Sequence, residues 1–527
     1  MSYTSVDVVS QNNPPGTVYL LTNQREGLLV PSITEEIKQH PISAKLQENV
    51  DYINKLIGVG TSWDILAKPF EFGGIKMMSY VTNGFFLTMN MVLILENLQA
   101  NIIAFKHERG DRDFTIHELI DYLDNHIAFV QVQPVNQMAD AVRFILSGPM
   151  VTFIEGFDQA FLIDTRIYPM RSISTPEVEH VIRGNHDAFT ETMLMNTALV
   201  RRRLRDPRLR VELMQIGDRS LTDVSLMYLE DVVDPGLVDQ IRQRLKNIKS
   251  GSLAMGEQQV VDLIGKVKWN PYPIARYTER PDVVATALME GQVAIVVDAT
   301  AQVIIAPTTF FQHLQNPNEY HSYPLPGTYM RWTILAAVML SIFLPGIFLV
   351  INGHPHHLPH WLSFFVAQRG DPLPLWAELL VAEVSLDMLR LAVLNTPTAL
   401  GSSVGIVAAL LFGQFASKIQ LLQPEVLVYM GFVMIAQYAT TSFELASANQ
   451  LARLWIMGWT APLGWIGFLI GSGSWLLLMV FTKSFGIPYF WPLIPFRWKQ
   501  GLRDVLFREP STNLHGIPSI LRKRSKA

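Results

Sequence analysis

The segment WTILAAVMLSIFLPGIFLVI, Trp332–Ile351, contains twenty residues and no charged side chain. A helix of about 20 apolar residues is long enough to cross the ~30 Å hydrocarbon layer of a bilayer. Pro345 lies inside the segment and predicts a kink, which a membrane helix tolerates when a neighbouring helix satisfies the freed carbonyl. The segment therefore predicts a membrane-spanning helix, and it divides the chain into two halves of different character.

Charge is unevenly distributed over the 527 residues, because only ten Asp, Glu, Lys or Arg residues lie between Trp332 and Phe481. The last of the apolar stretches contains Pro462 and several glycines, so two shorter pieces are an alternative to one helix there. We predict a helical multi-pass membrane domain over residues 332–482, with four to five apolar helices. The stretches after the first are Leu375–Leu394, Ala399–Ala416, Val426–Thr440 and Leu454–Phe481.

Lysine and arginine near the spans predict the orientation. Nine basic and two acidic residues follow Phe481, so the C-terminus is expected in the cytosol. The hydrophilic N-terminal half shows no signal peptide and is expected on the same side. An even number of crossings is then required, and the charged stretch Leu375–Leu394 is predicted not to cross. The chain has no cysteine, which excludes disulfides and thiolate sites.

The stretch Leu375–Leu394 carries Glu378, Glu383, Asp387 and Arg390. Spacings of four and three residues place the last three side chains on one helical face. Ionisable groups at membrane depth usually face a bundle interior or water, which makes them functional candidates. The alternative is a helix in the interface or at a protein contact, with Asp387 and Arg390 as an internal pair. The sequence leaves both open.

Small residues recur at every fourth position in the next apolar stretch, at Gly401, Gly405, Ala409 and Gly413. Such a stripe allows close approach of helix backbones in a bilayer. Apolar side chains occupy the opposite face, so one such helix from each subunit of a ring would line a narrow apolar gate. Ordinary bundle packing is the alternative, and spacing alone favours it. The additional gate candidates are Val404, Val407 and Leu411.

The hydrophilic half is predicted to be α+β, with apparent hairpins at Gly148–Thr165 and Gly291–Phe311. We expect an N-terminal extension over residues 1–57 and two cytosolic subdomains over residues 58–140 and 141–331. A basic cytosolic tail is expected over residues 483–527.

Two short strings resemble parts of metallophosphoesterase motifs, GNHD at Gly184–Asp187 and GDRD at Gly110–Asp113. Binuclear hydrolysis also requires an early D-x-H and a wider spacing of the middle aspartates. Neither is present, so we predict no catalytic residues, no metal site and no cofactor. The protein is expected not to be an enzyme.

The run RRRLRDPRLR, Arg201–Arg210, concentrates six arginines in a chain of net charge −4. It follows a predicted helix, and cations are favourable at a helix C-terminus. Acidic residues elsewhere in the domain are available as partners, so we expect an intersubunit or interdomain patch and no nucleic-acid binding. The subunit-contact candidates are Arg201, Arg202, Arg203 and Arg205.

Several long strings occur in the order known from one protein family. They include VIRGNHDAFTETMLMNTALVRRRLRDPRLRVE at residues 181–212, TDVSLMYLEDVVDP at residues 222–235 and YTERPDVVATALMEGQVAIVVD at residues 277–298. Together with GVGTSWDI at Gly58 and KSFGIPYFWPLIPF at Lys483, they resemble the A subunits of bacterial spore germinant receptors, the GerA family. The resemblance extends from about Gly58 to Pro510.

The resemblance implies a multi-pass protein of the inner spore membrane, with a two-part cytosolic domain below the helices and both termini on the core side. It further implies a homo-oligomeric ring, with five subunits expected, that conducts monovalent cations from the core and propagates or amplifies the germination signal. A small membrane partner protein and membrane lipid are the other expected partners. The alternative function is a non-conducting membrane scaffold that organises germination proteins.

Overall fold

The computed structural model describes residues 37–38, 40–110, 112–127, 131–168, 176, 179, 181–265, 269–353, 366, 373–395, 422–496 and 502–508. Within these residues the N-terminal half is α+β and the C-terminal part is helical, as the sequence predicted. Two α+β units, called unit 1 and unit 2 below, precede the helices.

Unit 1 is a five-stranded sheet with helices on both faces. Its strand order is β1-β2-β4-β5-β3, and all neighbouring strands are antiparallel. Helices α2 and α3 pack on one face, whereas α1 and α4 pack on the other. The elements are α1 (Leu46–Ile57), β1 (Ile65–Phe72), β2 (Ile75–Thr82), α2 (Thr88–Arg109), α3 (Ile116–His126), β3 (Val132–Val135), α4 (Met138–Ser147), β4 (Met150–Ile154) and β5 (Ala160–Ile163).

Unit 2 repeats this arrangement element by element. Its strand order is β6-β7-β9-β10-β8, with α6 and α7 on one face and α5 and α8 on the other. Its elements are α5 (Met193–Arg203), β6 (Leu209–Ile216), β7 (Thr222–Leu229), α6 (Pro235–Lys246), α7 (Gly256–Gly265), β8 (Arg276–Thr278), α8 (Pro281–Met289), β9 (Val293–Val297) and β10 (Val303–Ala306). The soluble half is therefore an internal duplication.

Complete burial of the central strands explains their sequences. Every residue of β4 and of β9 is buried, because helices cover both sheet faces. Strands of this kind appear as continuous apolar runs and not as alternating patterns. The two predicted hairpins are the corresponding pairs β4–β5 and β9–β10 of the duplicated units.

The predicted subdomain boundaries need two corrections. A division after Asp140 would cut α4 and separate β4 and β5 from the strands with which they pair. Residues 46–57 are not an extension, because α1 buries Ile53 and Ile57 against the sheet of unit 1. Both errors have one cause: the units are held together by pairings that are distant in sequence.

A helical bundle follows a short helix, α9 (Pro317–Tyr320). Two of its helices, α10 and α13, are long and apolar enough to cross a membrane by length and composition. The helices of the bundle are α10 (Pro324–Gly353), α11 (Leu375–Asn395), α12 (Pro424–Tyr438) and α13 (Phe443–Phe481).

Helix α13 is a hairpin with a turn at Gly464. This glycine has φ 57° and ψ −133°, a conformation that non-glycine residues rarely adopt. The Trp455 indole N–H donates to Ser474 Oγ at 3.0 Å. In a straight helix these residues would lie about 28 Å apart, at 1.5 Å per residue. Two arms, residues 443–463 and 465–481, therefore pack side by side, which confirms the alternative of two shorter pieces.

Both ends of this hairpin lie beside unit 2. Thr441 Oγ1 donates to the Leu314 carbonyl at 3.4 Å, and Asn270 Nδ2 donates to Thr482 Oγ1 at 2.7 Å. We call this end of the bundle the near end and the opposite one the far end. Along α11, the partners on α13 change from Arg453 through Gln450 to Phe443, so α11 runs from the far end to the near end.

The described part of the predicted basic tail is packed against the protein. A small hairpin, β11 (Lys483–Ser484) and β12 (Ile487–Pro488), docks on unit 2, where Ser484 Oγ donates to the Ile274 carbonyl at 2.6 Å. The short helix α14 (Arg503–Leu506) lies against α10, and Trp332 Nε1 donates to the Leu506 carbonyl at 2.8 Å. The chain after α13 thus connects the bundle to unit 2.

Candidate functional site

Arg201, the first residue of the arginine run, is buried between the two units. Its side chain is only 1% exposed, and so is that of its partner Asp64 in the segment between α1 and β1. The guanidinium donates to Asp64 through Nε at 2.8 Å and through Nη2 at 3.2 Å. Arg201 therefore joins the units within one chain, and its buried guanidinium is occupied by this internal pair.

The other predicted contact residues also have partners within the chain. Arg203 pairs with Asp187, the aspartate of the GNHD string. Arg205 Nη1 donates to Ser147 Oγ of unit 1 at 3.2 Å. Arg202 is exposed, and its guanidinium lies 4.6 Å from the centre of the Tyr168 ring. Arg201 and Arg205 thus contact unit 1, whereas a contact of the run with another subunit stays a prediction.

Arg453 connects all four of the bundle helices that the structure describes. From α13 it donates to Glu383 Oε2 on α11 at 3.0 Å, to the Ser341 carbonyl on α10 at 2.9 Å, and to Gln437 Oε1 on α12 at 3.0 Å. The Arg453 and Glu383 side chains are 1% and 3% exposed. A buried charge is tolerated only when it is paired and hydrogen-bonded, and both conditions are met here.

Two further polar side chains, Gln450 and Asp387, extend this site toward the near end. Gln437 Nε2 donates to Gln450 Oε1 at 3.4 Å, and Gln450 Nε2 donates to Asp387. We call Ser341, Glu383, Asp387, Gln437, Gln450 and Arg453 the polar cluster. It contains two carboxylates from α11 and one guanidinium from α13.

The cluster clarifies the predictions for the charged helix. Glu383 and Asp387 face the interior of the bundle, so their charge does not require α11 to lie outside it. Asp387 does not pair with Arg390, whose guanidinium lies 4.6 Å from the centre of the Phe443 ring. Exclusion of α11 was predicted from the sequence because five apolar stretches give an odd number of passes. Since α13 folds back as a hairpin, its two arms would count as two passes, and the total would be even with α11 included.

Glu378 is placed apart from the cluster, at the far end. It is fully buried, and its carboxylate accepts from the Gln423 backbone N–H at 2.9 Å. Gln423 precedes the first residue of α12, so Glu378 caps this helix, whose N-terminus favours negative charge.

The gate candidates Gly401, Val404, Gly405, Val407, Ala409, Leu411 and Gly413 lie outside the described residues. Sequence reasoning did not identify Arg453, Gln437 and Gln450. A usable signal was present for Arg453, because a single arginine next to the apolar stretch Leu454–Phe481 requires a carboxylate partner at that depth.

The GNHD string has a structural role. Asp187 is engaged by Arg203, and the Asn185 carbonyl accepts from Arg280 Nη2 at 3.1 Å. Across the described part of the chain, no group of three or more His, Asp or Glu side chains is placed to hold a metal ion.

The fold and the cluster define a class of protein: two duplicated α+β units attached to a helical bundle with two candidate membrane spans. Residues 51–520 match the family model described as Bacillus/Clostridium GerA spore germination protein. The chain belongs to this family, which confirms the resemblance found in the sequence.

Relatives within the family cover most of the chain. Stage V sporulation protein AF of Bacillus subtilis (strain 168) is 36% identical over 493 residues, which is 93% of this chain and 97% of that protein. Spore germination protein KA of the same organism is 32% identical, covering 69% of this chain and 68% of its own length. The chain also aligns with the crystal structure of the N-terminal domain of the A subunit of the Bacillus megaterium spore germinant receptor GerK3. The two sequences are 28% identical, and the alignment covers 51% of this chain and 98% of that domain, with a TM-score of 0.40.

Proposed function

We propose that this chain is a subunit of a homo-oligomeric membrane channel that releases monovalent cations from the spore core and thereby propagates the germination signal. Its family membership supports a role in germination, because the relatives are named as sporulation and spore germination proteins. We place it in the inner membrane of the endospore, with the α+β units and both termini on the core side.

The polar cluster is the observation that carries this proposal. Ionisable side chains inside a membrane bundle are costly, and they commonly mark ion pathways. Here Glu383 and Arg453 form a buried ion pair between the helices, and Asp387 is linked to Arg453 through Gln450 and Gln437. A purely structural bundle of this size needs no such group, since apolar side chains of similar volume pack at least as well.

The proposed topology has six passes. Helices α10, α11 and α12 supply three, the arms of α13 supply two, and the glycine-striped stretch Ala399–Ala416 supplies one. That stretch would line the central pore of a ring, which we expect to contain five subunits, and its apolar side chains would gate the pore by dewetting. Arg202 and Arg205, the exposed arginines of the run, remain our candidates for a contact between subunits.

The direct test is cation flux from liposomes. Purified full-length protein is reconstituted into vesicles loaded with K⁺, and efflux is followed with and without a co-reconstituted small membrane partner. We expect efflux that is absent from protein-free vesicles. Failure of the protein to pass any monovalent cation in both preparations would refute the proposal.

A non-conducting scaffold is the second candidate, and one surface favours it. Helix α2 exposes apolar side chains, including Met89 and Leu93, which are 72% and 52% exposed. In the duplicated unit, the corresponding helix α6 exposes polar residues such as Asp239, Gln243 and Lys246. The fold therefore does not require an apolar outer face at this position, whereas a protein-binding surface would explain one. A scaffold predicts that changes on α2 abolish germination while cation flux is unaffected.

A further inference from the structure

The polar cluster carries an unbalanced negative charge. Arg453 neutralises Glu383, whereas Asp387 is met only by the neutral amide of Gln450. Among the described residues, no arginine, lysine or histidine forms an ion pair with Asp387. Arg390, one turn away on the same helix, is directed over the rings of Phe443 and Tyr438. The cluster therefore has a net formal charge of one negative unit.

A second, independent feature lies on the residue next to Gln450. Asn449 precedes Gln450 on α13 and is 1% exposed, yet neither its Oδ1 nor its Nδ2 has a hydrogen-bond partner. It lies four residues before Arg453, so both side chains project from the same side of the helix, one turn apart. Asn449 is therefore buried one turn on the near side of Arg453, at the level where the neighbouring Gln450 donates to Asp387.

A buried polar group without a partner is unfavourable, and a charge held away from water costs more. One bound cation would offset the cost of the Asp387 charge and that of the unpartnered Asn449 Oδ1, because a carboxylate and an amide carbonyl are oxygen ligands suited to hard cations. The charge of the cluster favours a single positive charge, since a divalent ion would reverse its sign. The described ligands are also too few for a divalent site, because no group of three or more acidic or histidine side chains is present among them.

We propose that a monovalent cation binds inside the bundle of each subunit, between the Asp387 carboxylate and the Asn449 side-chain carbonyl. The proposal deepens the proposed channel function, on which it rests for the availability of such ions at this depth. It adds a site within each subunit, separate from the gate that Ala399–Ala416 would form on the axis of a ring.

Ion-dependent stability of the full-length protein in detergent tests this proposal. The thermal midpoint is measured as KCl replaces N-methyl-D-glucamine chloride at constant ionic strength, because a ligand that binds only the folded state raises stability with its concentration. We expect the midpoint to rise with K⁺. In Asp387→Asn we expect the apparent K⁺ affinity to fall about tenfold or more. The matched control is Glu444→Gln, since Glu444 on α13 already accepts from Ser442 Oγ at 2.7 Å.

Asn449→Leu separates an ion ligand from an unsatisfied core residue. If Asn449 binds the cation, this variant loses the K⁺-dependent shift together with Asp387→Asn. If it is only an unsatisfied amide, replacement by an apolar group is neutral or stabilising and the shift remains, which overturns the assignment. Equal shifts in wild type and Asp387→Asn, no shift with K⁺, Na⁺ or Rb⁺, or a shift with Ca²⁺ alone would also overturn it.

Flux and binding can fail independently. A K⁺-dependent midpoint in a protein that passes no ions would remove the channel and retain the site. Cation flux by a wild-type protein whose thermal midpoint does not change with K⁺ would retain the channel and remove the site.

Discussion

Arg201 and Asp64 form an ion pair that is buried between the two α+β units, with both side chains 1% exposed. They are 137 residues apart in the sequence. Removal of one partner of such a pair leaves a buried charge without compensation, which typically costs about 3–5 kcal/mol. The pair is therefore expected to be the principal electrostatic connection between the units.

Asp64→Asn should lower the free energy of unfolding by about 3 kcal/mol or more. Denaturant titration followed by tryptophan fluorescence measures this loss, since Trp63 lies at the same junction and donates to Ser225 Oγ at 3.1 Å. Asp187→Asn is the control, because the pair of Asp187 with Arg203 is 29% and 19% exposed and is expected to contribute about 1 kcal/mol. Equal losses in both variants would contradict the assignment.

Arg453→Met should destabilise the helical bundle, because Glu383 would remain buried without its partner. We expect a loss of about 3–5 kcal/mol, measured as thermal or denaturant unfolding in detergent. The double variant Arg453→Met/Glu383→Met should recover most of this loss, since replacement of both charges removes the desolvation cost. A double variant as unstable as the single one would show that the pair is not the cause.

Gly464→Ala should destabilise the α13 hairpin by about 1–3 kcal/mol, because an alanine cannot adopt the backbone conformation of this turn without strain. The comparison is Gly458→Ala, at a helical position with open space around an added Cβ. There alanine should be neutral or stabilising by up to about 1 kcal/mol. Thermal unfolding of both variants decides, and a loss at position 458 equal to that at 464 would argue against the hairpin.

Acid should destabilise the junction between unit 2 and the bundle through His313. Burial, together with the nearby positive charge of Arg276, lowers the pKa of His313 from its usual 6.5 to about 3. Between these two pH values the unfolded chain binds a proton that the folded protein does not. Stability is therefore complete above about pH 6.5 and falls as the pH decreases toward 3.

His313→Phe should remove this contribution, which amounts to at most about 1.4 kcal/mol per pH unit. The unfolding free energy is measured from pH 7 to pH 4 by denaturant titration. His107→Phe, at an exposed position on α2, is the control. An unchanged pH dependence in His313→Phe would show that the pKa of His313 is the same in the folded and the unfolded protein.

Gly405→Leu tests the proposed gate directly. A bulky side chain in the small-residue stripe should reduce K⁺ efflux from vesicles strongly, because it would occlude a narrow apolar pore. Gly431→Leu on α12 is the matched control, since an added Cβ at Gly431 meets no atom within 4 Å. A scaffold without a pore predicts that neither substitution changes ion release during germination.

Much of the architecture could be predicted because it depends on local composition. Twenty uncharged residues at Trp332–Ile351 predict a long apolar helix wherever they are placed, and α10 contains them. Apolar runs around turn residues predicted the hairpins β4–β5 and β9–β10. The strings shared with the GerA family predicted membership without any knowledge of the fold.

The duplication could not be predicted in the same way. The edge strands β3 and β8 contain only four and three residues, too few for a recognisable pattern. Helix α1 belongs to unit 1 through contacts with strands that follow it by up to a hundred residues, so the sequence placed it in an extension. Pairing between distant strands decides where each unit begins and ends.

The order of the amino acids was enough to establish which residues are charged, which stretches are apolar and to which family the chain belongs. Which charges are neutralised follows from the folded chain, because Glu383 and Arg453 are 70 residues apart and the partners Asp64 and Arg201 lie in different units. An arginine run that reads as a surface patch becomes an internal connection between units. One carboxylate of α11 is neutralised while Asp387 is left with a net charge, because electrostatic energy depends on distances in space that sequence spacing does not contain.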